Sequence, residues 1–397
     1  MLTKDRSQQL VNQTYFSADT CDIEEFAALC QQKTVLADYP LAADLQKGVL
    51  IYDCHSLRER IGDPEFDQML RAEWAEALAN GPGVVVLAGA ETDHAMLDRA
   101  SAMFRDMIET QKRDGTGGGD HFAKPGANDR VWNSLEKHCL ADPDNFARCY
   151  ANPFLALISQ AWLGLFYQVT AQLNVVNPGG AAQSPHRDYH LGFQTAAEVA
   201  RYPRHVHLMS PLLTLQGAIA HVDAPMEAGP TLPLPHSQKY APGYMATGRA
   251  EFRSYFDTHA VQLPLAKGDM LFFSPALFHA AGTNRSADIK RMVNLFQVSS
   301  AYGRSIETVD RTRMVKVLYP ALLAAHASGS LTPDQIANAI AASAEGYPFP
   351  TNLDRDPPIG GLAPQSQAGL VQEALAGGWA PDHLNAELDR RAARRLA

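Results

Sequence analysis

Two short stretches carry the residues best able to do chemistry. Ser184-Pro185-His186-Arg187-Asp188-Tyr189-His190 offers a His-x-Asp pair, and the segment from Gly268-Asp269 through Phe272-Phe273 ends in His279, 91 residues past Asp188. On an extended strand, residues two apart point the same way, so His186 and Asp188 present an imidazole and a carboxylate on one face. Such a pair suits Fe(II), Mn(II) or Zn(II). With His279 added, two imidazoles and one carboxylate can occupy one face of an octahedral Fe(II) and leave the opposite face open for a cosubstrate and dioxygen. The chemistry indicated is that of a non-haem iron oxygenase, with His186, Asp188 and His279 as metal ligands and catalytic centre.

Other residues are candidates for the surroundings of that metal. His190 is a rival third ligand, but its four-residue offset from His186 suits a helix better than a segment opened by Pro185, which places it in the substrate shell. Arg291 stands twelve residues after His279 at the start of an apolar run. Buried, it could hold a dicarboxylate through paired charge-assisted hydrogen bonds; exposed, it is a surface arginine beside Lys290. Gln172 and Asn174 share a strand face and are further polar anchors for a cosubstrate, or amides that satisfy the core. Tyr189, His190, Phe193, Trp132 and Asn133 make a mixed aromatic and polar lining for a small substrate. Of the fourteen histidines, His205, His207, His221 and His236 read as ordinary hydrogen-bonded residues.

The elements that must position these groups are strands. Phe166–Val176, Leu212–Val222, Val261–Leu265, Met270–Ser274 and Arg291–Ser299 alternate or run apolar between turn residues. Strands crowded into 166–300 at short intervals argue for a double-sheet jelly roll rather than a βαβ fold. Earlier, Gly48–Asp53 and Val84–Ala88 read as strands. Helices are expected over Ile23–Gln32, over Glu65–Asn80 behind an Asp63-Pro64 cap, over Thr92–Gln111 and over Phe154–Leu163. Gly115–Asp120 breaks the third of these, and the loop from His121 to Asn133 could cover an active site. Two helices follow over 310–344, the second capped by Thr332-Pro333-Asp334, and helix returns over 366–396. The fold class expected is mainly β with flanking helices around a double-stranded β-helix (jelly roll, cupin-like) core. A mostly helical region 1–165, the catalytic core 166–300 and a helical extension 301–397 are expected to form one integrated domain.

Composition narrows the class. Hydrophobic content of 46% against 19% charged fits a soluble globular chain with a sizeable core. A net charge of −9 and a pI near 5.9 give no basic footprint for nucleic acid. The Gly115–Asp120 run lacks the Lys-Ser/Thr ending of a phosphate-binding loop. No stretch is apolar enough for a membrane span, and the first residues have no signal-peptide core. Five cysteines without C-x-x-C spacing read as reduced thiols. The expectation is a cytoplasmic protein with a small-molecule substrate and dioxygen, no nucleic acid or membrane partner, and an oligomeric state left open.

Taken together, Gln183–Asp188, Glu227-Ala228-Gly229-Pro230-Thr231 with Leu234-Pro235-His236-Ser237, Gly268-Asp269 through His279-Ala280-Ala281-Gly282-Thr283-Asn284, and Arg291 resemble the phytanoyl-CoA dioxygenase family. The resemblance covers about 166–300. It implies an Fe(II)- and 2-oxoglutarate-dependent dioxygenase on a jelly-roll core that hydroxylates an unactivated C–H bond and releases succinate and CO2. It also implies that His186, Asp188 and His279 bind iron and that Arg291 clamps the distal carboxylate of 2-oxoglutarate. The family pattern often has that arginine one residue earlier, where Lys290 stands here. Phytanoyl-CoA itself is not implied as substrate. Two other classes share the ligand set: a cupin-like metal-dependent dioxygenase or isomerase that does without 2-oxoglutarate and Arg291, and a non-catalytic binding module.

Overall fold

The computed structural model describes residues 4–116 and 126–397. Ten strands are described: β1 (Asp44–Gln46), β2 (Val49–Asp53), β3 (Val84–Ala88), β4 (Asn128–Val131), β5 (Gln168–Val176), β6 (Thr214–Ala220), β7 (Thr231–Pro233), β8 (Met270–Phe273), β9 (His279–Ala281) and β10 (Arg291–Ser299). Eight of them form one sheet in the order β1-β2-β3-β8-β6-β10-β5-β4, and β7 pairs with β9 in a second, two-stranded sheet. The larger sheet is mixed. β1 and β2 are an antiparallel hairpin closed by Lys47 and Gly48, whose φ values of 51° and 82° are those of the tight two-residue turn that matches strand twist. β2 and β3 are parallel, so a crossover must join them. It contains the helix Pro64–Ala79, started by the Asp63 side chain on the amides of Glu65 and Phe66. That helix buries Phe66, Leu70, Trp74, Ala77 and Leu78, the three-and-four spacing of one apolar face.

The sequence reading is met by most of the elements it expected within two or three residues and departs at several places. The sheet is not confined to 166–300, because β1 to β4 join it from earlier in the chain; three consecutive valines, Val84 to Val86, make β3 a natural interior strand. Val261–Leu265 is not a strand. Pro264 has no N–H to donate, and the segment makes isolated bonds instead, Val261 N to Pro233 O and Leu265 paired with Ala224. The helix expected over 366–396 is two, Gln367–Ala376 and Pro381–Arg394, parted by Gly377, Gly378 and Pro381. The loop expected over His121–Asn133 falls partly outside the described residues, and within them Asn128–Val131 is strand β4. Nor is the fold mainly β, as expected: helices carry more of the described chain than strands do, around a mixed eight-stranded sheet.

Internal contacts divide the chain into two units. The first comprises Met1–Ala90, Gly118–Arg130 and Asn174–Leu295. Its core includes one cluster around Val49, Val86, Leu271 and Phe273 and another around Phe26, Tyr240, Phe252 and Phe278. The second comprises Glu91–Gly117, Val131–Leu173 and Phe296–Ala397 and is largely helical. In it Thr332 and Gln335 form a reciprocal capping box, and buried Arg311 donates to the carbonyls of Ala342 and Val169. Among the described residues no helix is long and apolar enough to cross a membrane, and all five cysteines are free thiols.

Candidate metal centre

The main chain itself brings the two distant histidines together. His186 N donates to His279 O at 3.1 Å and His279 N donates to His186 O at 3.2 Å, an isolated antiparallel bridge. Both imidazoles spend their Nδ1 on a neighbouring carbonyl: His186 on Ser184 O and His279 on Leu277 O, each at 2.9 Å. An Nδ1–H that donates to a carbonyl leaves Nε2 as a bare lone pair, the form a metal takes, and fixes the direction of the ring. The rings lie 4.5 Å apart between centroids, and the ring of Phe273 of β8 packs on His279 at 4.6 Å.

Asp188 completes the set. Its Oδ1 is 3.6 Å from His186 Nε2 and its Oδ2 is 3.4 Å from His279 Nε2. One ligand atom from each residue lies within 4.8 Å of the others, and this is the only such cluster of His, Cys, Asp and Glu among the described residues. Burial alone would raise the Asp188 pKa. The nearby imidazoles of His279 and His186 and the amide of Gln216 outweigh it, and hold the carboxyl well below the usual range. His186 is held below its ordinary value by burial and then by His279, against Asp188 and the Ser184 carbonyl. The site therefore offers two imidazoles and one carboxylate, a donor set suited to a divalent cation.

Arg291 opens β10. Successive side chains point to opposite faces; Lys290 is exposed and Arg291 is 4% exposed. Its Nε and Nη1 are buried without a hydrogen-bond partner among the described residues, and burial pushes its pKa down to about 10. A buried guanidinium with no counter-charge asks for an anion, so the residues present fit a cosubstrate with a free carboxylate. Asn174 is buried as well, with Oδ1 unpartnered.

The remaining candidates are distributed as follows. Tyr189 is buried, and its ring meets those of His190 and Phe193. Its φ of 64° and ψ of 148° fall in a region that side-chain-bearing residues rarely adopt, and strain of this kind collects at functional sites. His190, also at positive φ, sets Nδ1 3.3 Å from Ser210 Oγ and takes no part in the ligand cluster. Phe193 is 53% exposed. Gln172, Trp132 and Asn133 belong to the second unit. There Gln172 Nε2 donates to Gln297 Oε1, and Asn133 donates its side-chain amide to Glu136 and the Thr308 carbonyl. His207 and His236 bond to Val199 O and Thr34 Oγ1.

Two residues near the site escaped the sequence reading. Gln216 of β6 donates Nε2 to Asp188 Oδ2; only the pairing of Gln216 with Phe273 across β6 and β8 puts it on that face. Arg187 sits between two ligands and so turns to the other side. Buried, it donates to the carbonyls of Ser237 and Tyr240 and stacks between Tyr244 and Phe278, each 5.2 Å from ring centroid to Cζ. The His-x-Asp spacing already implied its inward direction.

A family model described as phytanoyl-CoA dioxygenase matches residues 60–292. The chain is similar to the solved non-haem α-ketoglutarate-dependent epimerase SnoN from nogalamycin biosynthesis, at 18% identity over 60% of this chain and 85% of that one, TM-score 0.40. It is similar to the carbocyclase SnoK of the same biosynthesis at 19% identity over 57% and 83%, TM-score 0.41. A comparison with curated proteins returns no match.

Proposed function

The chain belongs to the phytanoyl-CoA dioxygenase family, whose metal and cosubstrate are Fe(II) and 2-oxoglutarate, and from that premise we propose that it hydroxylates an unactivated C–H bond of a small molecule. The observation that carries the reading is the convergence of His186, Asp188 and His279 with both Nδ1 atoms already bonded. His186, Asp188 and His279 would hold the iron, on what we take to be a jelly-roll core that 166–300 shares with earlier strands. When bound, the iron and 2-oxoglutarate supply the oxidising power, by oxidative decarboxylation of the cosubstrate to succinate and CO2 with dioxygen.

The chain's own groups do the positioning. Ser184 O and Leu277 O keep the imidazoles in the metal-binding tautomer. Asp188 stays ionised and supplies negative charge, and as an iron ligand it would leave no place for a halide, which favours hydroxylation over halogenation. Arg291 receives the distal carboxylate of 2-oxoglutarate through its unpartnered Nε and Nη1, with Asn174 as a second polar anchor. Tyr189, His190 and Phe193 follow directly on the ligand pair and shape the substrate side, where exclusion of water protects a reactive oxidant.

Anaerobic addition of Fe(II) and then 2-oxoglutarate to the metal-free protein should produce a weak visible charge-transfer band. Admission of air should then release succinate, and a small-molecule screen read by succinate should find a substrate whose product carries one added hydroxyl. Iron binding without the band or succinate would transfer the site to metal chemistry that needs no 2-oxoglutarate. A product that is rearranged rather than hydroxylated would keep the cosubstrate and overturn the reaction type.

A further inference from the structure

An octahedral metal has six positions. The two imidazoles take two, chelation by 2-oxoglutarate takes two, and dioxygen needs one. That leaves one position for Asp188. If both carboxylate oxygens bound, cosubstrate and dioxygen could not be held together. Proximity to the imidazoles does not separate the two oxygens: Oδ1 is 3.6 Å from His186 Nε2 and Oδ2 is 3.4 Å from His279 Nε2. What breaks the symmetry is Gln216. Its Nε2 donates to Oδ2 and to no other described acceptor, while its Oε1 is buried without a partner. The amide cannot turn over, since its oxygen would then face a carboxylate. Gln216 lies inside β6, 6% exposed and paired with Phe273 of β8, so the donor is fixed to the sheet.

We propose that Gln216 is a positioning residue that ties up Asp188 Oδ2, so that Asp188 binds the metal through Oδ1 alone and the position needed by cosubstrate and dioxygen stays open. This rests on the metal reading of the site. Loss of the bond frees Oδ2 to join the metal, so metal affinity is kept while room for the cosubstrate is lost. Outer-shell partners of metal ligands typically change affinity or activity by about 10- to 100-fold; here the change falls on 2-oxoglutarate rather than on the metal.

The test uses the full chain with Co(II), a redox-inert stand-in for Fe(II), and 2-oxoglutarate, both by calorimetry. Gln216→Met keeps side-chain length and removes the donor; Gln216→Asn keeps the amide but withdraws it from reach. Both variants should bind Co(II) within about threefold of wild type and bind 2-oxoglutarate about 10- to 100-fold more weakly. Unchanged 2-oxoglutarate affinity, or parallel loss of Co(II) and 2-oxoglutarate, overturns the proposal. The metal-minus-apo infrared difference spectrum of the wild type can overturn the proposal even if neither variant folds. A wide separation of the two carboxylate stretches marks a singly bound carboxylate, and a narrow one overturns the proposal. A wild type that binds no Co(II) at all refutes the metal reading instead.

Discussion

Replacing Arg291 with methionine should make the cosubstrate-free protein more stable and nearly blind to 2-oxoglutarate. The guanidinium is 4% exposed, and two of its nitrogens have no partner among the described residues. Burial lowers its pKa from 12.5 to about 10. At about 1.4 kcal/mol per pKa unit, that displacement corresponds to about 3 kcal/mol against holding the charge in the fold. The sign follows from proton counting. Between pH 10 and 12.5 the unfolded chain binds the extra proton, so stability rises with pH there and the full penalty stands at neutral pH. Methionine fills much of the same space without the charge and should recover about 1–3 kcal/mol, read as a higher urea midpoint in metal-free protein. The cosubstrate pays the other way. Losing a bidentate, charge-assisted contact worth about 3 kcal/mol should weaken 2-oxoglutarate by about 100-fold, measured by titrating the anaerobic iron form. A less stable variant with unaltered 2-oxoglutarate affinity would refute the reasoning and make Arg291 a structural residue.

Alanine at His279 should lower Co(II) affinity by at least about 100-fold, more than outer-shell losses produce, and calorimetry on the apo-variant checks it. Gly243→Ala would put a Cβ 1.9 Å from Arg187 Cζ, expel the guanidinium from its two carbonyls and cost about 3–5 kcal/mol in urea denaturation, the scale of an orphaned buried charge. His138 is buried against Asn145 Oδ1, and burial lowers its pKa to about 4. Its contribution is complete above the unfolded value near 6.5 and is lost as pH falls from there to about 4. His138→Gln should therefore flatten the fall in stability across that window by up to about 3 kcal/mol.

The candidate cluster was legible because two of its members are two residues apart and the third follows a strand announced by Gly268-Asp269. Helix starts were legible wherever a cap could be read, as at Asp63-Pro64 and Thr332-Pro333. What stayed hidden depends on strand neighbours. Gln216 reaches Asp188 from 28 residues away, and no local pattern encodes which strands lie side by side. Which of Lys290 and Arg291 is buried could not be read until the start and facing of β10 were known. The entry of β2 and β3 into the sheet was invisible for the same reason, although each was recognisable as a strand. Pro264 was the one local signal against the strand expected at Val261–Leu265.

The backbone bridge between His186 and His279 has a consequence for how this chain can change. It closes a loop of 92 intervening residues with main-chain bonds that no side-chain substitution removes. Loop-closure entropy grows only logarithmically, so doubling such a loop costs about 0.6 kcal/mol. Insertions and replacements between the two histidines that leave Asp188, β6 and β8 in place are therefore cheap. The segment 195–209 lies in that span. New surface can be tried there while the candidate metal ligands keep their spacing.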